Sequence, residues 1–75
     1  MIDDGTYDVF VVDAERLPGD GPPSWRLELA VVAGRHKGEV VAVSATGLGG
    51  DELDLLGLPG TLTVTGGRPS FRVER

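Results

Sequence analysis

Seventy-five residues leave room for one domain and no second core. Hydrophobic residues at 40% and charged residues at 25% mark a globular chain, and the lack of cysteine excludes disulfides, thiolate metal sites and cysteine nucleophiles. A net charge of −5, from twelve acidic and seven basic residues, argues against unselective nucleic-acid binding, whose affinity comes mainly from Lys and Arg.

The first residues, Met1-Ile2-Asp3-Asp4, are acidic where a secretory signal would be basic and then apolar. No apolar run approaches a membrane span. A cytoplasmic location without membrane contact is expected, with residues 1–5 flexible and Asp3, Asp4 and Asp8 solvated. Tyr7 to Asp13 reads as a first strand, apolar on both faces at its centre, as where a strand bends between two halves of a small barrel. Residues 14–24 hold Pro18-Gly19-Asp20-Gly21-Pro22-Pro23 and read as a long loop. Trp25 to Val32 is a second strand, with Leu27, Leu29 and Val31 on one face and Arg26, Glu28 and Ala30 on the other. The glycine-bracketed turn Gly34-Arg35-His36-Lys37-Gly38 leads to a third strand, Glu39 to Ala45.

A one-turn helix follows, near residues 51–56. Asp51 caps it, Glu52 and Asp54 suit its dipole, Gly57 ends it in a left-handed conformation, and Pro59 forbids its continuation. Leu53 and Leu56, three apart, are expected to plug the open end of a barrel, with Leu58 returning onto Leu53. Thr61 to Thr65 is a fourth strand with Leu62 and Val64 inward, and Gly66-Gly67 turns the chain into a fifth, Pro69 to Glu74. The order strand-strand-strand-helix-strand-strand predicts an all-β fold, a small five-stranded barrel of the oligonucleotide/oligosaccharide-binding (OB) type over residues 1–75, with an SH3-like barrel as the alternative. The expected core is Val9, Val11, Leu27, Leu29, Val31, Val41, Val43, Leu53, Leu56, Leu62, Val64, Phe71 and Val73.

Leu29 to Val41, with its Gly34-Arg35-His36-Lys37-Gly38 turn, followed by Leu53 to Leu58, resembles small phage-type OB proteins associated with single-stranded DNA. It is also similar to short uncharacterised actinobacterial-type proteins sharing an AGxHKGEVV…LDLLGLPxTLTV pattern. The first resemblance implies the fold and not an activity. The second brings no function.

Catalysis finds no constellation. His36 is the single histidine, and Ser24, Ser44 and Ser70 lie outside any nucleophile-elbow pattern, so the chain is read as a non-enzyme. No metal or cofactor is expected. Asp51, Glu52 and Asp54 lack the rhythm of a calcium loop, and Gly47-Leu48-Gly49-Gly50 lacks the spacing and βαβ context of a dinucleotide site. Two binding readings stay open. Trp25, Arg26, Arg35, His36, Lys37, Arg68 and Arg72 form a candidate ligand set for single-stranded nucleic acid, with Trp25 as a stacking platform or else a cap on the core. The leading reading is a protein partner or self-association. Absence of Asn and Gln, a mark of GC-rich coding or of high working temperature, also removes the bidentate adenine readers. Charge distribution discriminates: basic residues gathered on one face favour nucleic acid, whereas an exposed apolar patch or bare strand edge favours protein.

Overall fold

The computed structural model describes residues 2–46 and 52–74, Glu52 by its backbone alone. Its elements are β1 (Gly5–Arg16), β2 (Ser24–Val31), β3 (Val40–Thr46), α1 (Glu52–Leu55), β4 (Pro59–Thr65) and β5 (Arg68–Val73). They form one antiparallel sheet in the order β3-β2-β1-β4-β5, curled into a half-barrel of the small OB-like kind. The sheet is curled because β1 serves two neighbours in succession. Gly5 to Phe10 pair with β4, whereas Val9 to Arg16 pair with β2. The register shifts between Val11 and Asp13, a bulge that leaves Val12 unpaired and turns it outward. The apolar run at the centre of β1 thus marks the bend that its sequence predicts.

Alternation builds the core. Trp25, Leu27, Leu29 and Val31 of β2 point inward with Val9 and Val11 of β1, Val43 of β3, and Leu62 and Val64 of β4. Val41 and Phe71 pack against this cluster half-buried, and Val73 is also half-buried. Gly66 and Gly67, with φ of +58° and +77°, supply the two left-handed residues of a tight hairpin between β4 and β5.

The structure corrects the sequence reading in four places. Leu53 and Leu56 are 81% and 41% exposed, and Leu55 is the buried residue of α1. The reason lies just beyond the helix. Gly57 N–H donates to Val11 O at 2.8 Å and Val11 N–H donates to Leu58 O at 2.9 Å, which anchors the helix exit to β1 and turns Leu55 and Leu58 toward the core. Gly57 is left-handed as expected, with φ of +82°. Second, β1 runs on to Arg16, because Ala14, Glu15 and Arg16 pair with Leu27, Arg26 and Trp25; the loop shrinks to residues 17–23. Third, within the segment expected to be flexible Ile2 joins the core, and Asp4 accepts from Gly66 N–H (2.9 Å) and Gly67 N–H (3.2 Å). Fourth, β2, β3 and β5 each shift by one residue from their expected bounds, and β4 begins two residues earlier, at Pro59. The expected cap at Asp51 and the Gly47–Gly50 segment lie outside the described residues.

Candidate functional site

The seven residues singled out from sequence do not converge. Trp25 is 1% exposed and belongs to the core, so of its two readings the structure has the core cap. Arg26 stands on the outer face of β2, where its guanidinium lies 3.6 Å from Glu28. Arg35 lines a cleft of about 500 Å³ together with Asp3, Asp4, Tyr7 and Asp8. His36 is half-buried in the same cleft, edge-on to the Tyr7 ring with centroids 5.6 Å apart. Its Nδ1 meets the Glu39 carboxylate, and its Nε2 lies 3.4 Å from Asp3. Lys37 is exposed at the turn. Arg68 opens β5 opposite Thr65, and Arg72 flanks a separate depression with Thr61, Thr63, Ser70 and Glu74.

The electrostatics of the Tyr7 cleft follow from these contacts. Desolvation first, then the Asp3, Asp4 and Glu39 carboxylates, push the Tyr7 hydroxyl above its ordinary value, so it stays protonated and donates to Asp3 O. Carboxylates of Asp3, Asp4 and Asp8 outnumber the Arg35 guanidinium there, and such a surface repels phosphate. Among the described residues no three of His, Asp and Glu converge as metal ligands, and no helix is long and apolar enough to cross a membrane.

A different surface emerges from the strand registers. Phe10 pairs with Pro59 on one side and Ala30 on the other, and Ala30 pairs with Val40. Paired residues share a face, so Pro59, Phe10, Ala30 and Val40 form one cross-strand row over four strands on the outer face. Phe10 is 37% and Val40 58% exposed, and Val12, turned out by the bulge, is exposed beside them. This row carries no charge.

It ends at β3, whose far side forms no ladder among the described residues and faces β5 across the seam. Val31 N–H donates to Glu39 O at 2.9 Å, and Gly38 N–H donates to Val31 O at 2.8 Å. Counting on from that pair, Val41, Val43 and Ala45 bond to β2, while Val40, Ala42, Ser44 and Thr46 turn their backbone groups to the open side. Residues 40–46 contain no charge, proline or glycine. Edge strands are ordinarily blunted by such residues. The opposite edge is blunted: β5 has Pro69, which lacks an N–H, between Arg68 and Arg72. β3 and β5 run in the same direction and approach across the seam without a ladder between them. Two open grooves border β3, one of about 400 Å³ with Arg26, Ala42, Ser44 and Pro69, the other of about 280 Å³ with Ile2, Glu39 and Val40.

No family model matches the chain, and no curated protein or solved structure matches it either. The surface is therefore interpreted from its own chemistry. Sequence reasoning missed Phe10 and Val40 as surface residues. The signal was an apolar residue in the outward phase of three strands, legible only once the registers align them.

Proposed function

We propose that this chain is a non-enzymatic protein-interaction module that takes its partner along the outer face of β1–β3. The observation that carries this reading is the uncharged row Pro59–Phe10–Ala30–Val40, in which Phe10 and Val40 are exposed. A contiguous exposed apolar row on an otherwise charged chain suits a protein partner, which removes it from water. Single-stranded nucleic acid is the less favoured partner. The basic residues lie on separate elements, the Tyr7 cleft is acidic, and Trp25 offers no face for stacking. A chain without cysteine needs no oxidising compartment, which fits a cytoplasmic setting.

The test pairs a displayed random-peptide selection with an NMR titration against mixed-sequence single-stranded DNA at low salt. Apolar peptides should be enriched by the native chain and lost with Val40→Asp. That variant puts a charge on an exposed position of the apolar row. Oligonucleotide-induced shifts at Arg35, Lys37, Arg68 and Arg72 that vanish with salt, together with no peptide enrichment, would overturn the proposal.

A further inference from the structure

We infer that the partner on the outer face is a basic amphipathic helix, its apolar stripe laid along the Pro59–Phe10–Ala30–Val40 row and its Lys or Arg side chains on the carboxylates that flank it. This rests on the protein-interaction reading above and names the partner's chemistry.

Length and backbone select the helix. Three strand spacings, about 14 Å, separate Pro59 from Val40. An α-helix covers that distance in about nine residues, enough for apolar anchors at i, i+4 and i+7. Beneath the row, β1 and β2 each pair on both sides, so a segment lying across them finds no main-chain partner. Extended chain would leave its own N–H and C=O groups unmet against that surface, whereas a helix satisfies them internally.

Charge selects the helix's sign. In the next outward row, two residues or about 7 Å along the strands, Asp13 stands directly opposite Glu28. Like charges so placed are unfavourable. Arg26 answers only part of this: its guanidinium lies 3.6 Å from Glu28, and its own register partner is Glu15. On the other side of the apolar row is Asp8, opposite Thr61, with Arg72 beyond it on β5. Among the described residues neither Asp8 nor Asp13 has an ion pair. The outer face of β1 and β2 thus sets Asp8, Asp13, Glu15 and Glu28 against Arg26 alone. A helix is about 10–12 Å across with its side chains, so flanking Lys or Arg residues reach carboxylates about 7 Å to either side of its axis. A cation seated between Asp13 and Glu28 turns their repulsion in the free chain into attraction for the partner. A second copy would instead bring the same surplus of carboxylates to this face.

Fluorescence anisotropy with labelled synthetic peptides tests the inference. The probe is a peptide of about 18 residues, long enough to form a helix in water, built from Leu, Ala and Lys with the leucines in one stripe. A second peptide has Glu for every Lys, and a third scrambles the first. The native chain should bind the striped Lys peptide about tenfold tighter than the Glu peptide at low salt, and tighter than the scrambled one. Asp13→Asn and Glu28→Gln should each weaken the Lys peptide about threefold. Asp20→Asn, which removes the same charge from the loop before β2, should leave binding unchanged. Asp13→Asn should also raise the Tm of the free chain, since it removes one member of the like-charged pair. Equal binding of the Lys and Glu peptides, both lost with Val40→Asp, overturns the basic partner and leaves the interaction reading standing. Equal binding of striped and scrambled Lys peptides overturns it as general charge attraction. A native dimer that Val40→Asp dissociates overturns it in favour of a second copy. If no peptide binds here and none is enriched in the displayed selection, the inference and the interaction reading both fail.

Discussion

Gly60 is the position where one added methyl group should cost most. It sits buried in β4 between Val9 of β1 and Val73 of β5, and its backbone is not left-handed. Conformation alone would therefore favour alanine by about 0.4–1 kcal/mol, through lower entropy of the unfolded chain. Packing says the opposite. A Cβ at Gly60 would run into Arg72 O and Phe71 Cε1, and would stand 2.8 Å from Phe71 Cζ. The ring lies over the glycine, filling the space a side chain would take. The Arg72 carbonyl belongs to the β4–β5 pairing and cannot retreat without lengthening the ladder. Overpacking of this kind costs about 1–3 kcal/mol, and with backbone as one obstacle the upper part of that range applies. Net of the entropy gain, Gly60→Ala should destabilise by about 2 kcal/mol, a fall of roughly 8–16 °C in Tm for a domain this size. Urea and thermal unfolding measure it. Phe71→Leu in the same chain should recover part of the loss relative to the sum of the single changes, since it removes the ring but not the carbonyl. A neutral or stabilised Gly60→Ala would refute the reasoning. Gly57→Ala is the companion case: no atom lies within 4 Å of the added Cβ, so its cost of about 1 kcal/mol comes from the left-handed backbone alone.

Leu55→Ala should cost about 2–5 kcal/mol in urea unfolding, while Leu53→Ala should stay within about 0.5 kcal/mol; equal effects would show that the helix presents another face. Trp25, the single tryptophan, should emit at short wavelength when folded and shift red through the unfolding transition, and Trp25→Ala should lose about 3–5 kcal/mol. The single tyrosine, Tyr7, should titrate by ultraviolet difference absorbance with a midpoint above 10.0. Because its folded value is raised, its contribution to stability is complete below the unfolded value and is lost as pH rises through the folded one. Tyr7→Phe should flatten that alkaline loss in a melting series, and an unchanged slope would show that Tyr7 is not its source.

Strand existence, the inward faces of β2 and β4 and the OB-like order were all legible, because two-residue alternation carries them. The phase of α1 was not. One turn offers no periodicity to phase, and the deciding bonds run from Gly57 and Leu58 to Val11, more than forty residues back. Ile2 went unread because a single apolar residue outside a strand makes no pattern. The candidate surface was legible only in part. The lack of charge in residues 40–46 stands in the sequence, but the row through Phe10 depends on registers fixed by the bulge at Val12 and the turn before Glu39. The basic residues were visible as a set, while their dispersal over β2, the turn and β5 is a property of the sheet's curl.

The division of β1 between two neighbours also sets the order in which this chain can fold. β1, β2 and β3 form successive hairpins from neighbouring segments, and β4 with β5 forms another through the Gly66-Gly67 turn. These two pieces meet only when Gly5 to Phe10 find Pro59 to Val64, and the Asp4 carboxylate closes that same span on Gly66 and Gly67. Closing so long a loop costs entropy before any pairing compensates it, which puts folding on the millisecond-to-second scale of non-local β proteins. On a ribosome the first three strands would emerge with the inward side of β1 uncovered, and β1 would wait for nearly the whole chain before its second neighbour arrived. The residues that hold the finished barrel together would thus be the last to engage.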